Sequence, residues 1–157
     1  MAMAQRDTFE LGTDGPRTIV TGVDGTPASL RAVAYAAGLA RRQHAQLVCV
    51  YVRRPPSGSA CLSCLVDPAI LAAEETTVAE IEAEVRQRIV EDSATWGIGV
   101  RLVVRSGDVL AEIARVARDV GADTIVVGAS RGIVHRLFGS LGSRLQRRGR
   151  WPVTVVP

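Results

Sequence analysis

Arg17-Thr18-Ile19-Val20-Thr21-Gly22-Val23-Asp24-Gly25-Thr26-Pro27 is the stretch that decides the fold. Its first seven residues form a short apolar, β-branched run and predict a strand. The next four end that strand and start a helix, with Thr26 suited to the N-cap and Pro27 to the first helical position. Leu30, Val33, Ala34 and Ala37 then recur at helical spacing, so the helix runs to about Gln43. Residues 46–52 are apolar nearly throughout, which predicts a second strand covered on both faces. Strand, helix, strand in this order predicts a parallel pair joined by a right-handed crossover.

The alternation continues along the chain. Residues 53–67 are rich in Pro, Gly and Ser and read as a loop. A long helix is predicted from Pro68 to about Trp96, with Val78, Ile81, Val85 and Ile89 as its apolar stripe. Residues 100–105 predict a third strand. Asp108 caps a helix carrying Leu110, Ile113, Ala114, Ala117 and Val120 on one face, and Gly121 stops it. Residues 124–128 predict a fourth strand, followed by a glycine-rich stretch and a short helix from about Gly139 to Arg148. Residues 151–156 predict a fifth strand at a sheet edge, because Pro152 cannot donate to a ladder. The expected architecture is one doubly wound α/β domain over residues 17–157, a parallel sheet with helices on both faces. Residues 1–16 read as a flexible N-terminal extension. A chain of 157 residues is long enough for one real core.

Composition excludes several chemistries. The net charge is +3 and all 19 basic residues are Arg. With no Lys, the chain has neither a Walker A phosphate loop nor a Schiff-base mechanism. Arg144, Arg147, Arg148 and Arg150 cluster near the end; with so few aromatic residues and no nucleic-acid motif, they read as a solvated helix face. No apolar run approaches the roughly 18–20 residues that span a bilayer. The N-terminal segment carries acidic residues and no apolar core of a signal peptide, so the expectation is a soluble cytoplasmic protein that engages neither membrane nor nucleic acid.

Ile19-Val20-Thr21-Gly22 and Ile125-Val126-Val127-Gly128 share one pattern. If the two strands lie side by side, their carboxyl ends flank a crevice at the switch point of the sheet, where ligands bind in open α/β folds. Val23-Asp24-Gly25-Thr26 would face it from one side, offering a carboxylate to ribose hydroxyls or a metal ion. Taken alone, Asp24 also fits an ordinary turn before a helix. Gly128-Ala129-Ser130-Arg131-Gly132 and Gly139-Ser140-Leu141-Gly142-Ser143 would face it from the other. Glycines let backbone approach phosphates closely, Ser140 and Ser143 add hydroxyls, and the short helix adds amide groups. Arg131 and Arg136 could add charge.

Three segments of the chain together resemble the universal stress protein family: residues 19–52, residues 106–132 and residues 137–157. The motifs that carry the resemblance are Val23-Asp24-Gly25-Thr26-Pro27-Ala28-Ser29, Gly121-to-Gly132, and Gly139-Ser140 followed by a short helix and residues 151–157. The resemblance implies a five-stranded parallel sheet of order 3-2-1-4-5, a homodimer through the C-terminal strand, and an adenine nucleotide as ligand, ATP with Mg²⁺. It implies that Asp24 contacts the nucleoside with Gly22 and Val23 beside it, that backbone near Val52 meets the adenine, and that Val127 lines base or ribose. Gly128, Gly139, Ser140, Leu141 and Ser143 would hold the phosphates, with Arg131 and Gly132 between them. One departure stands out. ATP-binding members carry Gly-x2-Gly-x9-Gly-Ser, but here Arg131 occupies the second glycine's spacing and ten residues rather than twelve separate Gly128 from Gly139.

Cys61-Leu62-Ser63-Cys64 reads as two thiols in a loop, or as a redox pair or half of a zinc site. Cys49 should be buried in the second strand. His44 and His135 have no nucleophilic partner, and no catalytic constellation emerges, so hydrolysis would be slow at most. Two functions remain open: a nucleotide-binding regulatory domain acting in stress response, or a nucleotide-free dimerisation and partner-binding module of the same fold.

Overall fold

The structure of the chain is a computed structural model that describes residues 15–53, 68–129 and 141–157. Most of the expected N-terminal extension, the loop with Cys61 and Cys64, and the stretch from Ser130 to Ser140 lie outside the described residues. Strands β1 (Thr18–Val23), β2 (Gln46–Arg53), β3 (Val100–Ser106), β4 (Thr124–Gly128) and β5 (Val153–Val156) form one sheet. They run in parallel in the order β3-β2-β1-β4-β5. Helices α1 (Pro27–Gln43), α2 (Pro68–Trp96), α3 (Val109–Asp119) and α4 (Leu141–Gln146) lie between them in sequence.

Successive residues of a strand point to opposite faces, and both faces here are covered. On one face Ile19, Val23, Leu47, Cys49 and Val126 meet the buried stripe of α1 (Ala32, Val33, Ala36, Ala37, Ala40) and Val85 and Ile89 of α2. On the other, Val20, Val48, Val50, Ile125 and Val127 meet Leu110, Ile113, Ala114 and Ala117 of α3 and Leu145 of α4. This is the doubly wound arrangement. Burial pushes the Cys49 thiol up to about 12, so it stays a neutral core residue. The sheet start is tied across the switch point: Arg17 and Thr18 donate backbone N–H groups to Asp123 Oδ2 at 2.8 and 2.9 Å.

Local signals fix the helix starts. Thr26 has extended backbone (φ −70°, ψ 152°), its hydroxyl accepts from the Ser29 N–H at 3.2 Å, and Pro27 opens α1. Asp108 caps α3 by accepting from the Ala111 N–H at 2.9 Å. Three expectations shift. Helix α4 spans Leu141–Gln146 rather than reaching Arg148, and β5 begins at Val153 rather than Trp151. Ile81 is not a core residue of α2: its side chain is 37% exposed, while Val85 and Ile89 carry the burial.

Candidate functional site

Parallel pairing places every strand's carboxyl end on one rim. Between β1 and β2 the ladder continues to Gly22↔Val50 and Val23↔Tyr51. Between β1 and β4 it stops at Thr21↔Val126. The two central strands therefore part at their ends, and a cavity of about 860 Å³ opens there. The volume falls within the range of about 300–1,000 Å³ usual for small-molecule sites.

The crevice is built from short-range chemistry. Gly25 takes a left-handed φ of 79°, which turns the chain out of β1. Asp24 Oδ1 accepts from the Thr26 N–H at 3.0 Å and from the Thr26 hydroxyl at 2.6 Å, so the carboxylate is fixed at the mouth. Ser29 closes the turn, donating its hydroxyl to the Thr26 carbonyl at 2.9 Å while its oxygen accepts from the Asp24 N–H at 3.3 Å. Gly128 ends β4 against the first turn of α1. A Cβ there would sit 2.5 Å from the Ala28 carbonyl oxygen and 2.9 Å from the Ser29 nitrogen. Glycine is required at 128 by this backbone contact, a reason different from the phosphate cradle expected from the sequence.

The cavity wall contains Gly22, Val23, Asp24, Val52, Val127, Gly128 and Leu141, all expected from the sequence. Ser143 is exposed on α4 and is not part of the wall. Arg131, Gly132, Gly139 and Ser140 lie outside the described residues, as do Arg136 and His135. The sequence reading missed Tyr51, Arg53 and Ile81 on one side, Gly107 to Leu110 at the start of α3, Ile113 within α3, and Arg144 of α4. A signal for the α3 group was available: Gly107 and Asp108 follow β3, and every strand end in a parallel sheet reaches the same rim.

Among the described residues, four charged side chains line the cavity: Asp24, Arg53, Asp108 and Arg144. Arg53 is committed to α2. Its Nε donates to Glu82 Oε2 at 2.7 Å, its Nη2 contacts the same oxygen, and Arg86 Nη2 donates to Glu82 Oε1 at 2.9 Å. Hydrogen bonding to Arg53 holds the Glu82 carboxyl below its ordinary value, against a smaller opposing effect of burial and with help from Arg86. Burial, with the Glu82 charge second, pushes the Tyr51 phenol up. A carboxyl depressed on folding stabilises above its unfolded value, about 4.3, and loses that contribution as pH falls through the folded one. Glu82→Gln is expected to cost less than about 1 kcal/mol at pH 7, because the partner arginines Arg53 and Arg86 stay about half exposed and solvent screens the pair. It should also flatten the fall in urea midpoint between neutral and acid pH; an unchanged acid limb would show that the cluster carries no such linkage.

Among the described residues no group of three or more His, Cys, Asp or Glu is placed to hold a metal ion. No helix of the described residues is long and apolar enough to cross a membrane.

The family model for the universal stress protein family matches residues 15–157. A universal stress protein family structure from Burkholderia pseudomallei is 28% identical, with a TM-score of 0.62, covering 90% of this chain and 96% of that one. A universal stress protein in complex with cAMP is 25% identical, with a TM-score of 0.67, covering 91% and 98%. A family member from Arabidopsis thaliana with AMP bound, 15% identical, shares the fold at a TM-score of 0.64 over 90% and 91%. No curated protein sequence matches the chain. With the matched model spanning nearly the whole chain and the sheet order observed, the chain belongs to the universal stress protein family.

Proposed function

We propose that the chain is a regulatory domain that binds an adenine nucleotide, ATP with Mg²⁺, in the cavity between the carboxyl ends of β1 and β4, and that it acts in stress response. The observation that carries this reading is the convergence on one cavity of Asp24, Val52, Val127 and Gly128, residues distant in sequence. Their chemistry suits a nucleoside. Val52, Val127 and Ile113 offer apolar walls to a base, and the Asp24 carboxylate offers acceptors to ribose hydroxyls. The complex of a 25% identical relative with cAMP supports the same ligand class. Mg²⁺ would be held mainly by phosphate oxygens and water, with at most a carboxylate from the wall, as is usual for this ion. The domain would act through the bound state rather than through turnover. Isothermal titration with ATP and Mg²⁺ tests the reading. Saturable one-site binding is expected, and absence of heat at high protein concentration would end it.

The second part of the proposal is a homodimer through β5. This strand pairs only with β4 in the described sheet, and Val155 is 45% exposed on it. An open strand edge with an apolar side chain is a template for pairing with a second copy. Light scattering should give twice the chain mass, and Val155→Pro, which removes an N–H from the side of β5 facing away from β4, should shift it toward the monomer. A wild-type monomer at all concentrations would contradict the edge-pairing reading.

A further inference from the structure

We infer that Arg144 is the residue that recognises the anionic end of the ligand, so that the site selects phosphorylated nucleosides over nucleosides. This deepens the nucleotide reading above and rests on it. Of the four charged side chains that line the cavity among the described residues, Asp24 and Asp108 are acids that repel phosphate, and each is already an acceptor for the turn or cap at its own helix start. Arg53 is neutralised by Glu82, which it contacts through both Nε and Nη2. Arg144 makes no ion pair or hydrogen bond among the described residues. Among the described residues it is therefore the cavity's cation without a carboxylate partner.

Its placement gives the charge a direction. Arg144 lies three residues after Leu141, so the two share one face of α4, and both line the cavity. Leu141 packs against the α3-side core, and Leu145, the next residue after Arg144, is fully buried beneath it. The helix is thus pinned to the sheet by its apolar side, and Arg144, exposed to solvent, lines the cavity. The Val52 and Asp24 region lies on the β1–β2 side of the parting strands, and α4 lies on the β4–β5 side. In the proposed complex the base lies at Val52 and the ribose at Asp24, with the 5′-phosphate extending toward α4. Arginine presents a planar fork of donors that matches phosphate oxygens.

The test is titration of adenosine, AMP and ATP with Mg²⁺ into wild type, Arg144→Ala, Arg144→Lys and Arg147→Ala, with circular dichroism on each. Arg147 is exposed, follows on the same helix end and does not line the cavity, so its variant controls for net charge. Wild type should bind AMP more tightly than adenosine. Arg144→Ala should weaken AMP and ATP by about tenfold or more, the size of a charge-assisted hydrogen bond. Adenosine affinity should not move, Arg144→Lys should restore part of the loss, and Arg147→Ala should match wild type. Equal weakening of adenosine and AMP in Arg144→Ala would overturn the inference, since that is loss of helix position rather than of charge. So would undiminished AMP binding. If wild type binds no member of the series, the nucleotide reading itself fails.

Discussion

Gly128→Ala is expected to lower the unfolding free energy by about 3 kcal/mol, the upper range for overpacking at a fixed contact. The added methyl would meet three backbone atoms of α1, the Ala28 oxygen at 2.5 Å, the Ala28 carbon at 2.6 Å and the Ser29 nitrogen at 2.9 Å. None can rotate away. Relief requires moving the capped first turn of α1, which is held by Thr26 and Ser29. Gly22 is the matched comparison on the neighbouring strand. A Cβ there meets Ile113 Cδ1 at 3.0 Å, the far end of a side chain that can change rotamer. Gly22→Ala should therefore cost less than about 1 kcal/mol, helped by a less flexible unfolded chain. Urea denaturation of the two variants checks the pair. Similar midpoints would show that β4 does not lean on α1 as described.

Asp24→Ala is expected to reduce affinity for ATP by about ten- to one-hundredfold, corresponding to about 1.5–3 kcal/mol for lost hydrogen bonds to a charged group. The carboxylate has two jobs that different variants separate. Oδ1 accepts from the Thr26 N–H and hydroxyl, so alanine also releases the turn that starts α1 and should cost about 1 kcal/mol of stability. Asp24→Asn keeps a neutral acceptor for that turn. It should retain most of the stability while losing part of the affinity. If alanine lowers stability but leaves affinity untouched, Asp24 is a turn residue and not a ligand contact.

The fold was legible in the sequence because its signals are local and redundant. Thr26-Pro27 and Asp108 announce helix starts that the hydrogen bonds bear out, and the apolar runs at 19–23, 46–52 and 124–128 are strands buried on both faces. The sheet order followed from the family resemblance and is observed. Element ends were less legible, as at α4 and β5, because short terminal elements are ended by tertiary packing rather than by a local stop signal. The site was legible where one motif supplies it, as at Gly22-Val23-Asp24. It was not legible where a remote element swings into the wall. Arg53 and Ile81 line the cavity from the end of β2, which pairs beside β1, and from α2. Arg144 looked like one of several solvated arginines; it lines the cavity because it lies within α4, which Leu141 and Leu145 pin, whereas Arg147 follows the helix end. Gly128 teaches a related point: a glycine at the expected place can be demanded by a helix packed against it.

Occupation by a nucleotide of the cavity where β1 and β4 part is tested most directly by amide chemical-shift mapping on isotope-labelled protein. Addition of ATP with Mg²⁺ should move the resonances of Gly22, Asp24, Val52, Val127 and Gly128, and leave Ala45, Gly99 and Asp123 at the opposite, amino-terminal rim unchanged. Shifts confined to that opposite rim, or none at millimolar nucleotide, would contradict it.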